Sequence, residues 1–99
     1  MAVRTRPFDP AEYLDDDKAI AAYLSEALET GDVSFIADAL GVIARAKGMS
    51  QIANDTNLSR ESLYRALSSE GNPEFATVMS VVKALGLRLT ASPLGGATH

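Results

Sequence analysis

Six of the seven residues from Ser59 to Arg65 carry polar side chains, and nearly all of them can hydrogen-bond outward. Arg60 and Arg65 each present a guanidinium fork whose geometry matches O6 and N7 of guanine. Glu61 can accept from cytosine N4, or it can pair with Arg65 one helical turn away. Tyr64 can pack on a thymine methyl or donate to a phosphate, and Ser59 and Ser62 can donate to phosphate or base. Upstream, Ser50 and Gln51 open another short helix, where backbone N–H groups can fix phosphates. Together these groups suit the reading of double-stranded DNA.

Catalytic chemistry is poorly supplied. The chain has no Cys, and its single His is residue 99, in the expected tail. Acid–base work would fall to carboxylates, Tyr or Lys. No Asp-x-Asp-x-Asp-Gly cation loop and no glycine-rich phosphate loop occurs, and Gly71-Asn-Pro is too short for one. The expectation is a binding protein with no catalytic residue, metal or cofactor. The longest strongly apolar stretches run about eight residues, against the roughly 20 that cross a bilayer. With Arg4, Arg6 and Asp9 near its start, the chain does not read as secretory, so a cytoplasmic location is expected.

The elements that must position these residues follow from periodicity and caps. Residues 1–14, with Pro7 and Pro10, read as an arm anchored by Phe8, Tyr13 and Leu14. Asp15, Asp16 or Asp17 caps a helix with the face Ile20, Tyr23, Leu24, Ala27 and Leu28, and Gly31 ends it. Asp32 or Ser34 caps a second, with Phe35 or Ile36, Ala39, Leu40, Ile43 and Ala46 inward, to Gly48. Ser50 caps a short third helix to Thr56. Asn57 tolerates the positive φ of a tight turn. Ser59 caps the fourth, from Arg60 to about Ser68. Asn72 and Pro73 start a fifth, with Phe75, Val78, Met79, Val82 and Leu85 on one face. Leu87-Arg-Leu-Thr90 alternates like a short strand or an extended tail, and 91–99 is expected to be mobile. The reading is all-α: about five helices within 15–90, and a helix-turn-helix at 49–67.

That unit needs a small residue where the backbones meet (Ala53), a turn residue tolerant of the left-handed region (Asn57), and apolar plugs (Ile52, Leu58, Leu63, Leu67). With Leu63, Ala66 and Leu67 inward, Arg60, Glu61, Tyr64 and Arg65 face out, where this motif reaches base edges.

The net charge of −4 is unevenly spread. Residues 1–38 hold nine acids and three bases, a net −6, whereas residues 39–99 hold four acids and six bases, a net +2. The acidic half is either a solvated front end or a surface for a basic protein partner.

Gly48-Met-Ser-Gln-Ile-Ala53, Leu58-Ser-Arg-Glu-Ser-Leu-Tyr-Arg-Ala-Leu-Ser68, Gly71-Asn-Pro-Glu-Phe75 and Ala84-Leu-Gly-Leu-Arg-Leu89 resemble addiction-module antidote proteins, the HigA-like, Xre-type antitoxins. Phe8-Asp9, Tyr13-Leu14, Ala39-Leu40 and Ala44-Arg45-Ala46 fit the same pattern, over about residues 8–90. The resemblance implies a lambda-repressor-like DNA-binding fold. It also implies a small basic toxin of the RelE/ParE superfamily, neutralised by direct binding, and repression of the shared operon. The support helix is shorter than in many Xre-type domains, and Asn57 stands where Gly is commonest.

Candidates for toxin contact are Phe8, Tyr13, Leu14, Asp15, Asp16 and Asp17, though the three apolar residues can equally close the core. A homodimer reading paired half-sites is expected. Its candidate contacts are Val78, Val82, Leu85, Leu87 and Leu89, which can equally be core. The alternative function is a stand-alone prophage-type transcriptional repressor with no toxin partner.

Overall fold

A computed structural model of the chain describes residues 16–94; Phe8, Tyr13, Leu14 and Asp15 lie outside the described residues, as does the end of the tail. Five helices follow one another: α1 (Asp17–Thr30), α2 (Val33–Lys47), α3 (Met49–Thr56), α4 (Arg60–Ala66) and α5 (Phe75–Ala84). Among the described residues there is no strand, and no helix is long and apolar enough to cross a membrane.

The helix ends are set by short side chains and left-handed turns. Asp16 caps α1 by accepting from the Ala19 N–H at 2.7 Å. Gly31 closes it at φ +67°, a conformation that costs glycine little. Asp32, rather than Ser34, caps α2, accepting from the Ser34 and Phe35 N–H groups at 3.0 and 3.3 Å. Arg45 and Lys47 occupy its last turn, where the carbonyl end favours cations.

Helix α2 is the hub, packed on α1, α3 and α4, with α5 laid against α3. Ile20, Leu40, Ile43, Ile52, Leu63, Val81, Val82 and Leu85 fill the interior. No polar or charged side chain of the described residues is buried, so the interior is held by apolar packing. Tyr23, half-buried on α1, has its hydroxyl pKa raised by burial and then by Asp38, with Arg45 opposing.

Three local expectations are corrected, and one open alternative, strand or extended tail at Leu87 to Thr90, falls to the tail. Ser50 does not cap α3: Gly48 stands at that position, and no side chain caps the helix. Helix α5 begins at Phe75 after Glu74, not at Pro73. The preceding loop is spent on crossing the end of α4, where Gly71 lies too close to the Ala66 carbonyl to carry a side chain. The buried face of α5 is Val81, Val82 and Leu85; Phe75 and Met79 point outward, at 73% and 40% exposure. Helix α5 is apolar on more than one side, so periodicity does not select the inner one. Leu87 to Thr90 forms no strand. Gly86, at φ +79°, turns the chain, with Leu87 N–H donating to Val82 O at 3.0 Å and Gly86 N–H to Lys83 O at 2.9 Å. The alternating residues then pack as an extended tail, with Leu87 and Leu89 against the core.

Gly41 marks a close backbone approach between α2 and the end of α4. A Cβ there would run into the backbone carbonyl of Leu67 at the end of α4. Gly41→Ala is expected to destabilise the fold by about 1–3 kcal/mol, despite the better helix propensity of alanine. In a domain of this size each kcal/mol lowers Tm by about 4–8 °C. A thermal melt followed by circular dichroism reads the shift, and an unchanged Tm would contradict the close approach.

Candidate nucleic-acid interface

The α3–α4 unit is built from its turn outward. At the end of α3 the Thr56 hydroxyl donates to the Ile52 carbonyl at 2.8 Å. Asn57 adopts φ +62°, ψ +31°, as its sequence context predicts. Leu58 N–H donates to Ala53 O at 3.1 Å and Asn57 N–H to Asn54 O at 3.3 Å. This paired arrangement is a left-handed helix stop that satisfies two otherwise orphaned carbonyls. Ser59 then starts α4, its Oγ accepting from the Ser62 N–H at 3.0 Å.

Behind α4, Leu63 is fully buried and Leu67 nearly so, with Ile52 and Ala53 buried on α3 and Leu58 packed against the same cluster. In front, Arg60, Glu61, Tyr64 and Arg65 are all exposed. Four of the residues expected to read DNA thus share the outward side of one two-turn helix.

The remaining expected residues are placed as follows. Ser50 and Gln51 are exposed on the first turn of α3. The Gln51 side-chain amide donates to Asp55 at 3.0 Å, so one of its donor groups is engaged locally. Ser59 Oγ is occupied by capping and by a 3.0 Å bond to Ser62 Oγ, which makes it a structural residue first. Ser62 is half-buried. Glu61 and Arg65 form no ion pair, which leaves both free to face a ligand.

Two features lie outside the sequence reading. The Arg60 guanidinium sits over the Tyr64 ring, 5.7 Å from its centroid, a cation–π contact that orders both side chains. The four-residue spacing of an Arg and a Tyr on one helix was its available signal. Asn54 and Asn57 join Ser50, Ser59 and Arg60 around an open recess of about 470 Å³ between the two helices. Asn54 lies four residues after Ser50, on the same side of α3, and could have been found from that spacing. The recess offers amide and hydroxyl groups beside a guanidinium, a set suited to phosphate and base edges.

The charge of this unit is balanced, since Met49 to Leu67 holds two acids, Asp55 and Glu61, and two bases, Arg60 and Arg65. Electrostatic attraction for a polyanion is therefore weak here.

The other expected sites divide. Asp16 is the cap of α1, and Asp17 is exposed with a carboxylate 3.7 Å from Lys47 Nζ, a solvent-screened pair of small energetic weight. Of the expected dimer residues, Val82 and Leu85 are 2% exposed and belong to the core of the single chain, which removes them from any surface contact. Val78, Leu87 and Leu89 are half-buried.

These features define a small helical protein that presents a short polar helix from an apolar frame. Its affiliation is carried by the length of the chain. The family model for a probable addiction module antidote protein matches residues 4–93. An uncharacterized protein of Haemophilus influenzae is 52% identical over 88 residues, spanning 89% of this chain and 91% of that protein. The chain belongs to the family of probable addiction module antidote proteins. An antidote implies a toxin as its partner. No solved structure matches the chain significantly.

The turn itself is open to test. Asn57→Gly should leave stability within about 1 kcal/mol of the parent, because glycine takes positive φ freely. Asn57→Val should cost about 1–3 kcal/mol, because a β-branched residue is strained there. Equal denaturant midpoints for the two variants would contradict the left-handed turn.

Proposed function

We propose that the chain is the antidote of a two-gene addiction module, binding a small basic RelE/ParE-like toxin and repressing the shared operon by sequence-specific DNA binding. The carrying observation is the outward side of α4, where Arg60, Glu61, Tyr64 and Arg65 stand together in front of buried Leu63. In this reading α3 and α4 are the two helices of a helix-turn-helix, within a lambda-repressor-like domain of the HigA-like, Xre type spanning about 15–90. Helix α4 enters the major groove, while the start of α3 and the Asn54–Ser59 recess lie along phosphates. The chain works by binding and not by catalysis, in the cytoplasm, where operon and toxin meet.

The antidote family favours a partnered function over a stand-alone repressor. Opposite charge supports the same partner: the acidic half, net −6, complements a basic toxin that must itself engage RNA, and would speed encounter. The arm around Phe8, Tyr13 and Leu14, with Asp15 to Asp17, is the first place to seek that contact. Two copies reading paired half-sites would compensate for the weak charge of one.

Arg65→Ala should cost about 1–3 kcal/mol of operator affinity and relax preference at one base position. Competition binding on a panel of single-base operator variants reads both effects. An equal loss on every sequence would make Arg65 a phosphate contact, and no loss would remove it from the interface. For the toxin, co-expression with the adjacent small open reading frame should restore growth and yield a co-purifying complex. Failure of both would overturn the antidote function.

A further inference from the structure

A second surface stands apart from the α3–α4 unit. Val33, Ile36, Ala37 and Leu40 follow one another at three- and four-residue spacing along one side of α2. With Pro73 and Val78 they line an apolar hollow of about 100 Å³, and no residue of α3 or α4 takes part. An apolar cavity of about 150 Å³ holds a benzene ring, so this one has room for an aliphatic side chain. Val33 is 61% exposed, and Phe75, one helical turn before Val78, is 73% exposed. The charge around the hollow has one sign. Residues 29–40 and 70–78 carry the whole lining, and they hold five acids and no Lys or Arg. Asp38 is turned away towards Tyr23 of α1. The other four, Glu29, Asp32, Glu70 and Glu74, are exposed, and none of them is in an ion pair among the described residues.

We infer that this hollow docks a cationic segment of the partner toxin, which inserts one aliphatic side chain between Val33, Leu40, Pro73 and Val78 and sets its Lys or Arg residues among the four free acids. The inference rests on the antidote reading above and adds to the arm a contact surface on the described helices, between the start of α2 and the loop into α5. Charge decides the occupant. A second copy would bring two sets of four acids face to face across a two-fold axis. A nucleic acid or an anionic lipid surface would meet the same repulsion. A cationic segment with an apolar side chain meets attraction and a fitting hollow together. The inserted side chain supplies affinity, and the acids supply encounter rate and choice of partner. Because the lining excludes α3 and α4, the outward side of α4 stays open while the hollow is filled.

The probe is the purified product of the adjacent small open reading frame, titrated by calorimetry against the full chain and its variants, with circular dichroism as a fold control. Val33→Lys should weaken binding by about tenfold or more, because it sets a positive charge at the mouth of the hollow. Glu74→Lys should weaken it too, and that loss should shrink as salt rises. Asp38→Lys changes the net charge by the same amount on the α1 side and should leave affinity within about twofold. All three positions are exposed, so the helical signal should hold. Val33→Lys binding like the parent overturns the proposal. Equal losses from Glu74→Lys and Asp38→Lys do so as well, since they would reduce the attraction to overall charge. Self-association of the parent that Val33→Lys abolishes would give the hollow to a second copy. Tighter toxin binding after removal of residues 1–8 would give it to the chain's own Arg4-to-Phe8 stretch, and either result overturns the proposal. A parent that does not bind defeats the antidote reading and this surface with it, whereas a parent that binds beside an unaffected Val33→Lys defeats the surface alone.

Discussion

The approach of α2 to the end of α4 governs what this molecule can present. Gly41 brings a backbone with no side chain up to the Leu67 carbonyl, and Leu63 fills the space beneath. Helix α4 has only seven residues and could not hold its shape alone. Its orientation comes from that seat, from the Ser59 cap and from the left-handed turn at Asn57. Moving the seat would rotate Arg60 and Arg65 together, because they share a helix, and would carry them away from the recess beside Asn54. Rigidity at this contact is a condition of recognition, since directed hydrogen bonds tolerate little misplacement.

The electrostatics divide the work. In the proposed DNA-reading role a unit with balanced charge gains little from phosphate attraction, and its selectivity would come from guanidinium, amide and hydroxyl groups held at fixed positions. The Arg60–Tyr64 stack serves this by limiting the freedom of a long side chain before any ligand arrives. Ordering in the free protein lowers the entropy lost on binding. An interface with ample charge would bind more tightly, but to any sequence. A protein that controlled one operon, as proposed above, would benefit from the opposite balance.

Most local rules read from the chain carry through where one residue decides the outcome, the Ser50 cap being the exception. Asp32 caps α2, Ser59 caps α4, Asn57 takes positive φ, and Leu63 faces inward while Arg60 and Arg65 face out. Each depends on near neighbours, which a sequence displays directly. The start and buried face of α5 and the fate of Leu87 to Thr90 depend on distant partners. Helix α5 carries apolar residues on several sides, and only its docking on α3 selects Val81 for the interior. The alternation at 87–90 suits a strand or an extended tail, and with no strand beside it among the described residues it is a packed extension of the helix stop. Gly41 is the clearest case: nothing local marks it, because its reason for being glycine lies in Leu67, far along the chain.

Helix α2 also carries its own charges in step with its backbone. Its N-terminus is capped by Asp32, and Arg45 and Lys47 lie in its last turn. Both placements agree with the helix dipole, so charge separation along α2 works with the backbone rather than against it. The screened Asp17–Lys47 pair joins the start of α1 to the end of α2, and at 3.7 Å in solvent it binds them loosely. A partner attracted to the acidic side need not disturb the seat of α4, because that seat is built from apolar packing and a backbone approach, neither of which responds to charge. Simultaneous engagement of a basic protein and a nucleic acid is therefore compatible with this frame on electrostatic grounds.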